Sequence, residues 1–184
     1  MHFPRIGIAG AGGIGSNVAL HLVRSNIPCF TIIDCDVVEA SNLNRQFFFI
    51  DQVGSSKVAM LAQNLRRINP EIDICAVHQK ITPENIHHLF ADCDVIVEGL
   101  DGEEDKKMLI EALHNEKHAI IAASGIAGSD LATITTKKIG NTYIIGDLCT
   151  DCAGAELTSH KVVTVAAHMA ATLLSLLSTK ATNQ

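Results

Sequence analysis

Glycines that follow an apolar strand and open a helix restrict this chain more than any other feature of its sequence. Arg5 to Ala9 is a short apolar run, Gly10-Ala11-Gly12-Gly13-Ile14-Gly15 follows it, and Val18, Leu20, Leu22 and Val23 continue with small and polar neighbours up to Asn26-Ile27-Pro28. Cys29 to Ile33 then reads as a second strand, ending at Asp34. The spacing Gly10-x-Gly12-x-x-Gly15 places glycines where a strand must turn tightly into a helix and where backbone must approach a phosphate. Asp34 lies nineteen residues past Gly15, the region from which an acidic side chain meets a ribose hydroxyl in dinucleotide folds. These residues predict a β-α-β unit that binds a nucleotide.

Beyond that unit the pattern stays α/β. After Gly54-Ser55-Ser56, Lys57 opens a helix with Val58, Leu61, Leu65 and Ile68 on one face, capped by serine and ended by Asn69-Pro70. Glu71 to Val77 alternates as a third strand, and Thr82-Pro83-Glu84 reads as the start of a short helix. Asp94 to Val97 is a fourth strand, Glu103 to Asn115 a helix and His118 to Ala123 a fifth strand. Asp130 to Thr136 and Asn141 to Ile145 read as two β-branched strands joined at Gly140-Asn141. The expected fold is Rossmann-like, a mainly parallel doubly wound sheet with antiparallel C-terminal strands and a final apolar helix over Val162 to Leu177. At 184 residues a single domain, 1–178, with a polar tail, 179–184, is expected.

Charge and composition narrow the partners. The net charge is −6, and no Lys/Arg cluster provides the basic face that nucleic acid or an anionic membrane rewards. With 47% apolar and 18% charged residues and no basic-plus-apolar leader before the first strand, the expected compartment is the cytoplasm. Val162 to Leu177 is shorter than the about 20 residues of a spanning helix, so it is expected to be a buried or dimer-facing helix.

Asp34 is followed by Asp36, Asn42, Arg45 and Lys57. A nicotinamide site has no need for an amide and two cations so soon after its ribose acid, whereas a triphosphate site needs several donors around its phosphates. Lys57 begins a helix, where the amide dipoles also favour an anion. Either cation taken alone also reads as an ordinary surface charge. Val97-Glu98-Gly99-Leu100-Asp101 carries a further carboxylate at a strand end, where solvent or ligand can meet it.

The run Gly10 to Gly15, Asp34-x-Asp36, Ser41-Asn42-Leu43-Asn44-Arg45-Gln46, Lys57, Asn69-Pro70, Val97 to Asp101, Ala123-Ser124-Gly125-Ile126-Ala127-Gly128 and Gly146-Asp147 together resemble the ThiF/MoeB adenylyltransferases, relatives of the ubiquitin-activating enzymes. The resemblance covers nearly the whole chain and is greatest to the short ThiF-like proteins of thiamine biosynthesis. It implies activation of the C-terminal glycine carboxylate of a ThiS-like sulfur-carrier protein by ATP and Mg²⁺, with loss of pyrophosphate, in a homodimer. In that scheme Gly10, Gly12, Gly13 and Gly15 form the phosphate loop, and Asp34 holds the ribose with Asp36 near it. Asn42 and Arg45 contact phosphates, Lys57 neutralises the leaving pyrophosphate, and Asp101 binds Mg²⁺.

Two departures qualify the implication. Larger members place an N-terminal arginine at a partner's phosphates, whereas here Arg5 falls inside the first strand. They also hold structural zinc with two Cys-x-x-Cys pairs; Cys149 and Cys152 form one pair, half of a tetrahedral site, so zinc is not expected. One of these thiols is a candidate nucleophile or sulfur carrier, and an idle loop pair is the plainer alternative. Three other functions stay open at this point: adenylation of a small-molecule carboxylate, NAD-dependent oxidoreduction, and nucleotide binding without catalysis.

Overall fold

A computed structural model of the chain describes residues 4–116, 118–150 and 154–182. Seven strands form one sheet: β1 Arg5–Ala9, β2 Cys29–Ile33, β3 Asp73–Val77, β4 Val95–Glu98, β5 Ala119–Ala123, β6 Thr135–Ile139 and β7 Thr142–Gly146. Their order is β3-β2-β1-β4-β5-β7-β6. All neighbours run parallel except β6, which is antiparallel to β7. Among the described residues five α-helices cover the sheet: α1 Gly13–Arg24, α2 Lys57–Arg66, α3 Ile86–Leu89, α4 Glu103–Leu113 and α5 Ser159–Thr182.

Alternation along the strands builds two cores, one on each face, because successive side chains point to opposite sides. Ile6, Ile8, Phe30, Ile32, Val95, Val97 and Ile121 face a layer made by α1, α2 and α5. Ala9, Ile33, Ile96 and Ile120 face the opposite layer, with Ile86, Phe90, Leu109 and Leu113 from α3, its C-cap and α4. Strands buried on both faces read as continuous apolar runs, which is why β1, β2 and β4 are so plain in the sequence.

The final helix is longer than its apolar run suggested. It spans 24 residues, Ser159–Thr182, so most of the expected polar tail is helical. Ser159–Thr179 is long and apolar enough, at mean hydropathy 1.7, to cross a membrane by length and composition. The length argument therefore does not decide its place; what the structure shows is one face packed in the core. Val162, Val165, Ala166, Met169, Ala170 and Leu173 are buried in the core shared with α1, and burying each of the larger side chains contributes about 1.5–3 kcal/mol.

Three local expectations are corrected by side-chain hydrogen bonds. The strand expected from Asp130 begins only at Thr135, because the Asp130 carboxylate accepts the Ala132 N–H at 2.9 Å and folds Asp130–Thr133 into a turn. Asn85, not Thr82, precedes α3: its Oδ1 accepts the Thr82 N–H at 2.8 Å and closes the turn before the helix. Ser56 stands at the N-cap of α2, but its hydroxyl meets His78 Nδ1 at 3.1 Å and does not cap the helix, whose first N–H, from Lys57, goes to Asp36 O instead.

Candidate nucleotide and acceptor site

Strand order reverses at β1, which lies between β2 and β4, and a ligand of such a sheet sits beyond the carboxyl ends of the strands at this point. A cavity of about 150 Å³ occupies the place, lined by Gly10 and Gly12 after β1, Asp34 to Asp36 after β2, Gln79 to Ile81 after β3, Gly99 to Gly102 after β4, and Lys57 and Asp105. The glycines have different tasks. A Cβ on Gly15 would lie 1.9 Å from Gly10 O, so Gly15 lets α1 pack on the turn. A Cβ on Gly12 would meet nothing closer than Asp101 Oδ1 at 3.8 Å, so Gly12 keeps open the space beside that carboxylate. Gly12 caps α1 without a side-chain bond, and no acidic residue stands in the first turn, so the orphan amides there favour an anion.

Asp34 organises the loop. One oxygen accepts the Ala11 N–H at 2.6 Å and the other the Asp36 N–H at 2.7 Å. Asp36 in turn accepts from Lys57 Nζ at 2.8 Å; the lysine side chain is 5% exposed and the carboxylate 56%. The ammonium is therefore delivered to the cavity wall on a fixed partner. Cys35 also lines this cavity, and burial together with Asp36 and Asp34 pushes its thiol up from the ordinary range.

A second, wider cleft of about 440 Å³ adjoins the first, lined by Arg45, Leu100, Asp101, Glu103, Lys106, Ala123 to Ile126, Thr150 and Leu157. Leu100 and Asp101 line both spaces. Asp101 thus stands between a cavity lined by the glycine turn and an open cleft. Arg45 borders the cleft and not the cavity, its Nη1 donating to Ser41 O at 3.1 Å and Asn44 Oδ1 at 2.8 Å. Gln46 is 8% exposed, and its Oε1 is buried without a hydrogen-bond partner among the described residues; its amide nitrogen lies on the same side of Gly12 as Asp101. A buried acceptor without a protein partner calls for a water or another polar group.

The far wall of the cleft is locked by a buried ion pair. Lys161 Nζ, at the start of α5, donates to Asp147 Oδ2 at 2.6 Å and to Ala127 O at 2.6 Å. Asp147 also accepts the Thr150 hydroxyl and the Cys149 and Thr150 N–H groups, and Leu148 between them is held at φ +64°. Burial alone raises the Asp147 carboxyl, but the hydrogen bonds from Lys161 and Thr150 outweigh it and hold the group well below the usual carboxylate range. Cys149 is exposed on this loop; Cys152 lies outside the described residues.

A profile of the ThiF family matches residues 2–184. The chain belongs to the ThiF family. Among curated proteins it is 32% identical over 123 residues to the tRNA threonylcarbamoyladenosine dehydratase of Escherichia coli K12, covering 66% of this chain and 46% of that protein. It is 30% identical over 138 residues to the adenylyltransferase and sulfurtransferase UBA4 of Candida glabrata, covering 74% of this chain and 32% of the relative. The chain therefore spans less than half the length of these relatives. In fold it is similar to the E. coli dehydratase in complex with AMP, with a TM-score of 0.89 at 24% identity over 98% of this chain and 88% of that one. It is also similar to the guanylylpyridinol- and ATP-bound HcgE of Methanothermobacter marburgensis, with a TM-score of 0.79 at 20% identity over 96% of each chain.

In this ThiF-family chain the residues singled out from sequence do not gather in one place. Gly10, Gly12, Asp34, Asp36, Lys57 and Asp101 share the smaller cavity. Gly13 and Arg45 lie together in a small pocket against Val162 on the cleft side. Asn42 is buried in its own turn, its Oδ1 accepting the Glu39 N–H at 3.1 Å, and lines neither space. Arg5 pairs with Asp73 and donates to Phe30 O at 3.0 Å, closing the amino end of the sheet. Glu98, Lys106, Gln46 and Lys161 were not singled out. Gln46 had a signal, as the last residue of the polar run; the others acquire meaning only from the partners that the fold brings to them.

Proposed function

We propose that this ThiF-family chain is an ATP-dependent adenylyltransferase that activates a carboxylate as an acyl adenylate, the acceptor being the C-terminal glycine of a ThiS-like sulfur-carrier protein. The observation that carries the reading is Asp101 at the junction of the two spaces. In the reaction a carboxylate oxygen attacks the α-phosphorus of ATP, a new P–O bond forms, and the bond to the bridging oxygen breaks, its electron pair leaving with pyrophosphate. The acceptor is already ionised at neutral pH, so the protein has to position and neutralise rather than remove a proton.

The chain's own groups suit that work. The uncapped start of α1 and the Gly10–Gly12 backbone receive phosphate, and Asp34 braces that loop at the ribose end. Lys57, seated on Asp36, brings a positive charge to the cavity. Mg²⁺ fits Asp101, since it binds through one or two carboxylates together with substrate phosphates, and when bound it disperses charge on the phosphate oxygens. The test is ATP–pyrophosphate exchange with a recombinant ThiS-like carrier. Exchange that requires the free terminal carboxylate is expected, and ATP binding without exchange on the carrier or on any small carboxylate overturns the reading.

A second acceptor is favoured by the similarity to the tRNA threonylcarbamoyladenosine dehydratase. Exchange supported by threonylcarbamoyl-modified tRNA and not by the carrier selects it. Tight NADH binding in place of ATP returns the chain to an oxidoreductase, and ATP binding with no exchange on any acceptor to a non-catalytic nucleotide module. A homodimer belongs to the proposal: Val37, Phe49, Ile50 and Val53 expose apolar surface of the kind partners cover. Light scattering is expected to give twice the 19.7 kDa of one chain, and a mass of one chain at micromolar concentration counts against it.

A further inference from the structure

The cleft beyond Asp101 contains a cation that does not line the nucleotide cavity. Lys106, in the first turn of α4, donates from Nζ to Glu98 Oε2 at 2.6 Å and to Ala123 O at 3.3 Å. Glu98, at the end of β4, is fully buried, and its other oxygen accepts the Leu100 N–H at 2.8 Å. One carboxylate therefore fixes both the ammonium and the turn that presents Asp101. An ammonium carries three donors; Glu98 and Ala123 take two among the described residues, and 28% of the Lys106 side chain is exposed. Lys106 lines the cleft with Arg45, Asp101 and Ile126.

The arrangement differs from a packing ion pair. A pair buried on both sides can often be replaced by apolar residues at little cost; here Glu98 is sealed and Lys106 is 28% exposed and lines the cleft. Arg45, the other cation of the cleft, turns Nη1 onto its own loop. Glu103 and Asp101 on the same wall leave the cleft without a strong net positive field, so an anion entering it is held by a directed donor rather than by bulk charge.

We propose that Lys106 receives the acceptor's carboxylate, donating its remaining N–H to one oxygen and holding the group beside Asp101 while the other oxygen faces the α-phosphorus. This rests on the adenylation reading. Lys106 is then a substrate-binding residue for the acceptor and not for ATP, and Glu98 is its positioning residue.

The test uses ATP–pyrophosphate exchange and calorimetry with a ThiS-like carrier ending in a free glycine carboxylate. Lys106→Met keeps the aliphatic stem and removes the charge. It is expected to raise the KM and the Kd for the carrier by about 10- to 100-fold, the effect of losing one hydrogen bond to a charged group, with the KM and Kd for ATP changed less than about twofold. Lys106→Arg is expected to restore most of the carrier affinity. Because Lys106→Met strands Glu98 as a buried charge, the double variant Lys106→Met/Glu98→Gln removes that hazard and is expected to show the same carrier defect. A folded double variant with unchanged carrier KM overturns the proposal, as does a loss shared equally by ATP. Wild-type protein that exchanges with no acceptor removes the adenylation reading itself and this inference with it, a result distinct from wild-type exchange with an indifferent Lys106→Met.

Discussion

Asp101→Ala is expected to lower ATP–pyrophosphate exchange by about 10²- to 10³-fold, the usual loss when one preorganised charge-stabilising group is removed from a reacting centre. The side chain follows β4, is exposed, and lines both the cavity beside the glycine turn and the adjoining cleft. Among the described residues its carboxylate makes no ion pair, so folding does not depend on it. Stability is therefore expected to stay within about 0.5 kcal/mol of wild type, as for other surface substitutions. The two measurements separate roles: a fall in exchange with an unchanged unfolding midpoint places Asp101 in the reaction. Retention of wild-type exchange by Asp101→Ala removes it from the reaction and takes the bridging argument away.

Lys161→Ala is expected to do the opposite, unfolding the protein more readily by about 3–5 kcal/mol, because it leaves Asp147 as an uncompensated buried charge. The two side chains are 1% and 4% exposed. Lys161 also ties Ala127 to the Asp147 loop, so the wall of the cleft loses its brace with the pair. A Cβ on Gly125 would lie 1.9 Å from Asp147 Oδ1, a measure of how tightly the two loops are locked. Lys161→Met/Asp147→Asn keeps an amide oxygen for the Cys149 and Thr150 N–H groups and is expected to recover part of the loss.

Acid titration checks the same pair. The Asp147 carboxyl is held below its usual range in the folded chain, so the unfolded chain binds the extra proton first and stability falls as pH drops. The contribution is fully present above about pH 4 and is lost progressively below it. The stability gap between wild type and Lys161→Ala, measured by urea unfolding, is expected to narrow from pH 6 towards pH 3. A gap that stays constant over that range would show that Asp147 does not carry the effect.

Local chemistry is what a reader of the sequence sees well. The apolar runs of β1, β2 and β4 are buried on both faces, and the glycine turn needs a positive φ at Gly10 and close packing at Gly15, so both leave marks in neighbouring positions. Element ends were harder. Ser56, Thr82 and Asp130 all looked like caps or strand starts, and each was decided by a hydrogen bond to another residue: His78, Asn85 and Ala132. The Gly140-Asn141 turn announces a hairpin, but that β7 rather than β6 lies beside β5, and parallel to it, is a matter of sheet order.

Sequence alone determined the β-α-β unit with its glycine turn, the α/β class and the family pattern, because such a turn and its strands are specified by residues adjacent in the chain. Tertiary structure alone decided the rest of the site. It put Lys57 on Asp36 in one cavity and Arg45 in another space, although the two cations stand close in sequence. It turned Glu98–Lys106 and Asp147–Lys161 into paired charges around the cleft. The physical reason is that a charge carries no sign of its partner in its own neighbourhood: burial and pairing arise only when β4, α4, β5 and α5 have docked and excluded water from between them.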